Sequence, residues 1–238
     1  PVVIAGFNNM RALSRSASTT NGGDPAAASR PFDSARDGFV MAEGAGVLVL
    51  ERLDRALARG ATPLAEIVGY GASADAAHIT LPAPGGYGAV RAARRALEKA
   101  GRRGRDIDHV NAHATSTPEG DKAELDALRT ILTDAADADA ARAAAERTAP
   151  RATITATKSA IGHTLGAAGA LGAIATIRAM RDGRVHPTLN LEQPDPLVGN
   201  LDIVRGDPRE GAVRLALVNA FGFGGQNAAL LFAAWEGR

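Results

Sequence analysis

The sequence predicts an α/β protein, and three observations carry that expectation. Strand-like and helix-like segments alternate along the chain, it closes on two apolar strands around a glycine-rich turn, and its most polar motifs fall where strands end. At 238 residues, with 45% hydrophobic and 22% charged residues, the chain has ordinary globular composition and can bury a sizeable core.

Pro1 to Ile4 reads as the end of a strand or a buried loop. It lacks the basic-then-apolar pattern of a signal peptide and an initiator methionine, so it reads as the start of a cut fragment. Gly44-Ala45-Gly46 leads into Val47 to Glu51, a short apolar run expected to be a buried strand. Asp54 to Gly60 fits a short helix closed by glycine, and Leu64 to Ala72 a second strand. After a loop with Pro82, Pro84, Gly85 and Gly86, apolar residues at helical spacing predict a helix over Tyr87 to Ala100, stopped by Gly101. Ile107 to His113 reads as a strand and Asp121 to Leu132 as a helix. The stretch from Asp134 to Arg151 is alanine-rich and charged, fitting an exposed helix or an insertion. Ala152 to Thr157 is a strand, and Gly162 to Arg181 a long helix whose small residues predict close packing on another helix. His186-Pro187-Thr188 opens a loop, and Leu215 to Asn219 and Asn227 to Ala233 form the final pair.

Several function classes are excluded early. The net charge is +1 and the bases look scattered among acids, unlike the one-faced cluster that nucleic acid requires. Cysteine is absent, so no disulfide or thiolate metal site can form within the chain. No apolar run approaches the ~18 residues of a membrane span.

Three loops carry the candidate chemistry, at the strand ends where open α/β folds bind ligands. They are Asn111-Ala112-His113-Ala114-Thr115-Ser116-Thr117-Pro118 with Asp121 and Glu124, then Thr157-Lys158-Ser159-Ala160-Ile161-Gly162-His163 running to Gly169, then Asn219-Ala220-Phe221-Gly222-Phe223-Gly224-Gly225-Gln226-Asn227. Each has a plain structural reading: His113 as a strand-end histidine, His163 as a cap, the glycine run as a hairpin. Two histidines without a third ligand do not make a zinc site, and the glycines lack the strand-turn-helix context of a phosphate loop.

Together the loops resemble the β-ketoacyl-acyl-carrier-protein synthases of the thiolase superfamily, in particular the free-standing synthase II type. Ser29-Arg30-Pro31-Phe32-Asp33 and Arg36-Asp37-Gly38-Phe39-Val40 fit the same family, and the resemblance runs from about Gly6 to Phe232. It implies a five-layer αβαβα body of two repeats, of which residues 1–50 close the first half and 51–238 form most of the C-terminal repeat. It implies decarboxylative condensation of an acyl thioester with malonyl-acyl carrier protein, with the nucleophilic cysteine upstream of Pro1. His113 and His163 would face the malonyl carbonyl, Lys158 and its partner Glu124 would hold the histidine loops, and Asp121 would join that network. Thr115 and Thr117 would meet the phosphopantetheine arm, and Phe223 would gate the site and complete an oxyanion hole. Phe7, Phe221, His78 and Thr80 would line the pocket or its entrance. Ala114 departs from the glycine of many members by one methyl group.

No cofactor is implied beyond the phosphopantetheine that arrives on the carrier protein, and no metal. The implied partners are acyl carrier protein, the N-terminal half and a second synthase subunit in a homodimer or heterodimer, with no nucleic acid and no membrane. A cytoplasmic protein is expected, and the chain alone should be poorly soluble because it exposes the face meant for its other half. The alternatives are a polyketide ketosynthase, a non-catalytic chain-length-factor-like subunit, or a fragment that only binds acyl chains or a partner. Retention of His113, Lys158 and His163 speaks against the degenerate subunit; Ser116 and Ser159 lack a base to make them nucleophiles.

Overall fold

The computed structural model describes residues 2–16, 23–136, 140–141 and 151–237. A six-stranded mixed sheet forms its centre, in the order β1-β8-β7-β2-β3-β5: β1 (Ala65–Ala74), β8 (Gln226–Ala234), β7 (Leu215–Gly222), β2 (His109–Asn111), β3 (Thr153–Thr155) and β5 (Asp202–Ile203). Strands β7, β2, β3 and β5 run parallel, while β8 is antiparallel to both β7 and β1. A small antiparallel pair, β4 (Arg184–Val185) and β6 (Arg209–Glu210), lies apart.

Side chains on β7 show why helices cover both faces. Leu215 and Leu217 enter the core shared with α3 (Tyr87–Ala100) and α4 (Pro118–Leu132), whereas Ala216 and Val218 enter the core of α6 (Ala168–Asp182). Alternation of period two therefore divides one strand between two layers. The α/β class is as the sequence predicts. Helix α3 also keeps its expected limits, because Gly86 and Gly101 take left-handed φ of 61° and 60° at its two ends.

The remaining helices are α1 (Val2–Asn9), α2 (Leu53–Ala58) and α5 (Lys158–Ile161). Five expectations need correction. The chain opening is not a strand or buried loop but α1, which has no buried residue. Val47 to Glu51 is not a strand: it has no ladder partner among the described residues, and it leaves Val49 90% exposed. Its apolar sequence supplies propensity without a neighbour to bond. The long helix from Gly162 is broken, since Gly162 itself (φ 67°, ψ −171°) ends α5 and a 3₁₀ turn at 165–167 precedes α6. The small residues of α6 pack on the sheet and on Gly44 and Gly46 rather than on another helix; a Cβ at Gly46 would stand 3.1 Å from Ala170 Cβ. Finally, bases are not evenly scattered: Arg91, Arg94, Arg95 and Lys99 gather on the outer side of α3. Most of the alanine-rich stretch, 137–139 and 142–150, lies outside the described residues.

Parallel β2, β3 and β7 point the same way, β7 running on from Val218 beside Asn111 to Gly222, so the loops after Asn111, Thr155 and Gly222 emerge at one edge. Segment 29–41 crosses that edge, bridging Phe39 to Leu13, Asp33 to Pro194 and Met41 to His163.

Helix α3 lies unusually close to β1. A Cβ on Gly71 would fall 1.9 Å from the Ala92 carbonyl oxygen, and one on Gly69 2.1 Å from that of Ala96. Gly71→Ala is expected to destabilise the fold by about 3 kcal/mol through forced separation of helix and strand. Urea unfolding checks this, and an unchanged midpoint would mean that the contact is slack.

Candidate active site

The His113 peptide is fixed from both sides by buried charge. As the chain leaves β2, the N–H groups of His113 and Ala114 donate to the two oxygens of Glu124, at 2.8 and 2.6 Å, and Asn219 Nδ2 donates to the same carboxylate at 3.2 Å. On the other side, Lys158 Nζ donates to the His113 carbonyl. The expected partnership of Lys158 with Glu124 is thus indirect, carried through the peptide between them rather than by an ion pair. Asp121, fully buried at the start of α4, repeats the device one turn away, accepting from the N–H groups of Phe32 (2.9 Å) and Ser116 (3.1 Å) with Arg36 Nε at 3.6 Å.

Burial dominates the acid–base character of this cluster. It raises Glu124, against the backbone N–H groups that lower it, and pushes Asp121 up to about 7. Lys158 is pushed down to about 8, with Glu124 and Asp121 opposing. His113 falls well below 6.5 through burial, then through Lys158 and His163. His163 falls to about 4 through burial and the Lys158 charge. Both imidazoles are therefore neutral at pH 7.

Neutrality and geometry together set the role of each nitrogen. His163 Nδ1 accepts the Leu165 N–H at 3.2 Å, so its proton sits on Nε2. The capping reading of His163 and its place in the site are then compatible. The two rings lie 5.6 Å apart at 86°, with Phe221 5.3 Å from His113 and Phe39 5.4 Å from His163. His113 Nδ1 is buried and has no hydrogen-bond partner.

A cavity of about 630 Å³ opens onto both rings, and Thr115, Thr117, Thr80, Phe7, Phe221 and Phe223 all line it. Thr115 and Thr117 hydroxyls are 3.0 Å apart, and Phe223 is 45% exposed with its ring 6.0 Å from Phe7. His78 is not among the lining residues; its Nδ1 instead accepts the N–H groups of Thr80 and Leu81, which shapes the turn. Ser116 and Ser159 are buried and engaged, Ser116 Oγ accepting from Arg30 N–H and Ser159 Oγ donating to the Ala156 carbonyl.

Two contributors escape sequence reasoning. Asp75 receives Asn227 Nδ2 at 2.8 Å and the Ala83 N–H at 2.9 Å, and its own N–H donates to Gly225, so it holds the Phe223 loop. Arg36 ties segment 29–41 to Asp195 at 2.7 Å and to the Pro118 carbonyl at 3.1 Å. Asn227 and Arg36 stood inside recognisable motifs, but nothing local marked Asp75 as the counterpart of Asn227 or Asp195 as that of Arg36.

Comparison with known proteins places these residues in context. Residues 64–192 match the family model for the β-ketoacyl synthase C-terminal domain, and residues 1–56 match that for the N-terminal domain. The 3-oxoacyl-[acyl-carrier-protein] synthase 2 of Rhizobium meliloti is 45% identical over 99% of this chain and 52% of its own length. The chain thus spans about half the length of the curated relatives it matches. Among solved structures, a type II polyketide synthase ketosynthase, in complex with its acyl-carrier protein, superposes with a TM-score of 0.87 at 31% identity. That match covers 99% of this chain and 53% of the other. The ishigamide ketosynthase/chain length factor gives a TM-score of 0.81 at 39% identity, covering 98% and 51%.

Ala114 adopts a left-handed φ of 31° with its methyl buried. Relief of strain, loss of methyl burial and added chain entropy nearly cancel, so Ala114→Gly should change stability by less than about 1 kcal/mol. Ala114→Val, β-branched at positive φ, should cost about 3 kcal/mol, measured by denaturant unfolding.

Nitrogen NMR of His163 should show a neutral Nε2–H ring at pH 7 and a titration midpoint near 4. Since the unfolded ring titrates near 6.5, the unfolded chain binds more protons between those values, and stability should fall as pH drops through that window. A midpoint near 6.5 would contradict the burial argument.

Proposed function

The chain belongs to the β-ketoacyl synthase family, and on that premise we propose that it supplies the two-histidine half of a site for decarboxylative condensation in fatty acid elongation. The observation that carries the reading is a pair of neutral imidazoles facing one cavity, His163 with its proton on the nitrogen that Leu165 leaves free. Neutral rings donate hydrogen bonds to a carbonyl oxygen without delivering the proton that would quench a carbanion.

On this reading the malonyl thioester carbonyl lies between His113 and His163. Breaking of the bond to the carboxylate releases carbon dioxide and leaves an enolate, whose oxygen the two rings stabilise. Its carbon attacks an acyl thioester held on a cysteine, the new carbon–carbon bond forms, and the cysteine leaves as thiolate. That cysteine is absent from this chain and comes from the N-terminal half. Lys158, Glu124 and Asp121 hold the His113 loop, Thr115 and Thr117 receive the phosphopantetheine arm brought by the carrier protein, and Thr80, Phe221 and Phe7 shape the pocket or its entrance. Phe223 gates it and lends a backbone N–H to the acyl oxyanion. Residues 1–50 belong with the first repeat and 51–238 form the second.

Acyl carrier protein, the N-terminal half and a second synthase subunit are the proposed partners. The ketosynthase–carrier complex among the structural neighbours supports the first, and the ketosynthase/chain length factor the last. Those same neighbours favour a polyketide ketosynthase as the second reading. No described helix is long and apolar enough to cross a membrane, and a cytoplasmic site of action is proposed.

Joined to its N-terminal half, the protein should release carbon dioxide from malonyl-acyl carrier protein. His113→Ala or His163→Ala should cut that release about a hundredfold or more. Failure of the joined protein to decarboxylate would refute the reading, and unchanged rates would remove either histidine from the mechanism.

A further inference from the structure

The loop that begins His186-Pro187-Thr188 has no place in the condensation mechanism, yet it lies against the turn that carries Lys158. It meets that turn residue by residue. Thr155 Oγ1 donates to the His186 carbonyl at 2.9 Å, the Ala156 N–H donates to Thr188 Oγ1 at 3.1 Å, and the Leu189 N–H donates to Ser159 Oγ at 2.9 Å. The His186 ring reaches further, through Thr157 to the loop that follows β2.

Its partners fix the tautomer of that ring. Nδ1 lies 3.0 Å from the Pro187 carbonyl, which can only accept. It also lies 3.0 Å from Thr155 Oγ1, whose own proton goes to the His186 carbonyl. Nδ1 therefore carries the proton, and in the neutral ring Nε2 is the acceptor. Its partner is Thr157 Oγ1 at 3.1 Å. That oxygen receives Asn111 Nδ2 at 2.8 Å, which leaves its own proton for His186. Donor direction runs without conflict from Asn111 through Thr157 to His186. Thr157 immediately precedes Lys158, and Asn111 stands two residues before His113. Asn111 is buried and also donates to the Gly172 carbonyl on α6 at 3.1 Å, so the far end of the chain is anchored too.

We propose that His186 is a positioning residue: through Thr157 and Asn111 it fixes the loop bearing Lys158 against the loop bearing His113. The proposal rests on the condensation reading and adds to it a residue outside the cavity lining. The bond from Lys158 to the His113 carbonyl spans the same two loops, and a hydrogen bond weakens steeply as it bends or lengthens. A second tie between the loops keeps that bond in register. The ring suits the task because Nδ1 holds it from behind while Nε2 presents a rigid acceptor. Without that acceptor the Thr157 hydroxyl is free to turn to another rotamer and release Asn111.

The test uses the protein joined to its N-terminal half. His186→Leu keeps bulk but offers no acceptor. Its kcat for carbon dioxide release from malonyl-acyl carrier protein is expected to fall about tenfold, with KM little changed. His186→Gln places an amide oxygen near the position of Nε2 and should recover most of that loss. Thr157→Val removes the hydroxyl at nearly constant shape and should cost about as much as His186→Leu. The double variant should cost no more than either single one, because both act through one bond. Additive losses, no rescue by Gln, or an unchanged kcat in a variant with a lowered urea midpoint would each overturn the positioning role. Should His186→Leu not fold, Thr157→Val decides by the same reading of kcat. Nitrogen NMR at about pH 8, where free imidazole is neutral, should show His186 with a protonated Nδ1 and a bare Nε2; the reverse tautomer would overturn the chain of donors. If the unaltered protein releases no carbon dioxide, the condensation reading fails instead. The His113 ring signals then decide the positioning role by themselves: a shift in Thr157→Val and in His186→Leu supports it, and unchanged signals refute it.

Discussion

Everything at the site depends on one clamped peptide. Glu124 holds the His113 N–H, Lys158 holds the His113 carbonyl, and both charges are buried. Removing either would leave its counterpart unpaired in a medium of low polarity, where an uncompensated charge is costly. The clamp therefore works as a unit. It sets the direction of the His113 ring, and the Lys158 charge helps keep both rings neutral. Structure and acid–base character thus have the same source here.

The polar satisfaction of the surrounding loops follows the same logic on a larger scale. Loops after β2, β3 and β7 bond only partly within themselves, and buried carboxylates take N–H groups that a ladder would otherwise satisfy. Asp121 joins Phe32 to Ser116, Asp33 takes the N–H groups of Glu192 and Gln193, and Asp75 joins the glycine loop to Ala83. Three long-range crosslinks thus replace secondary structure where the fold must leave room for a ligand.

The sequence made the periodic parts of the fold legible and the non-local parts opaque. Helix α3 is readable because its apolar rhythm and two flanking glycines agree. Val47 to Glu51 is misread because strand propensity is a property of residues, whereas a strand is a property of pairs. Gly162 looks like a helix residue until its φ and ψ are known, and the bases of α3 look scattered until the helix brings them to one side. At the site, motif resemblance brought the histidines, Lys158 and Glu124 into view. Asp75 stayed hidden because its partners are 8 and 152 residues away, and no local pattern connects them.

The close approach of Gly69 and Gly71 to α3 has a mechanical meaning. With no room for even a methyl group between them, helix and strand form one rigid lever. Strand β1 runs directly into Asp75, whose carboxylate also stands where any Cβ on Gly88, in the first turn of α3, would have to go. Asp75 in turn accepts from Asn227 and donates to Gly225, so the Phe223 loop is referenced to the helix through this one carboxylate and its peptide. One rigid unit thus extends from the outer helix to the glycine loop beside the cavity.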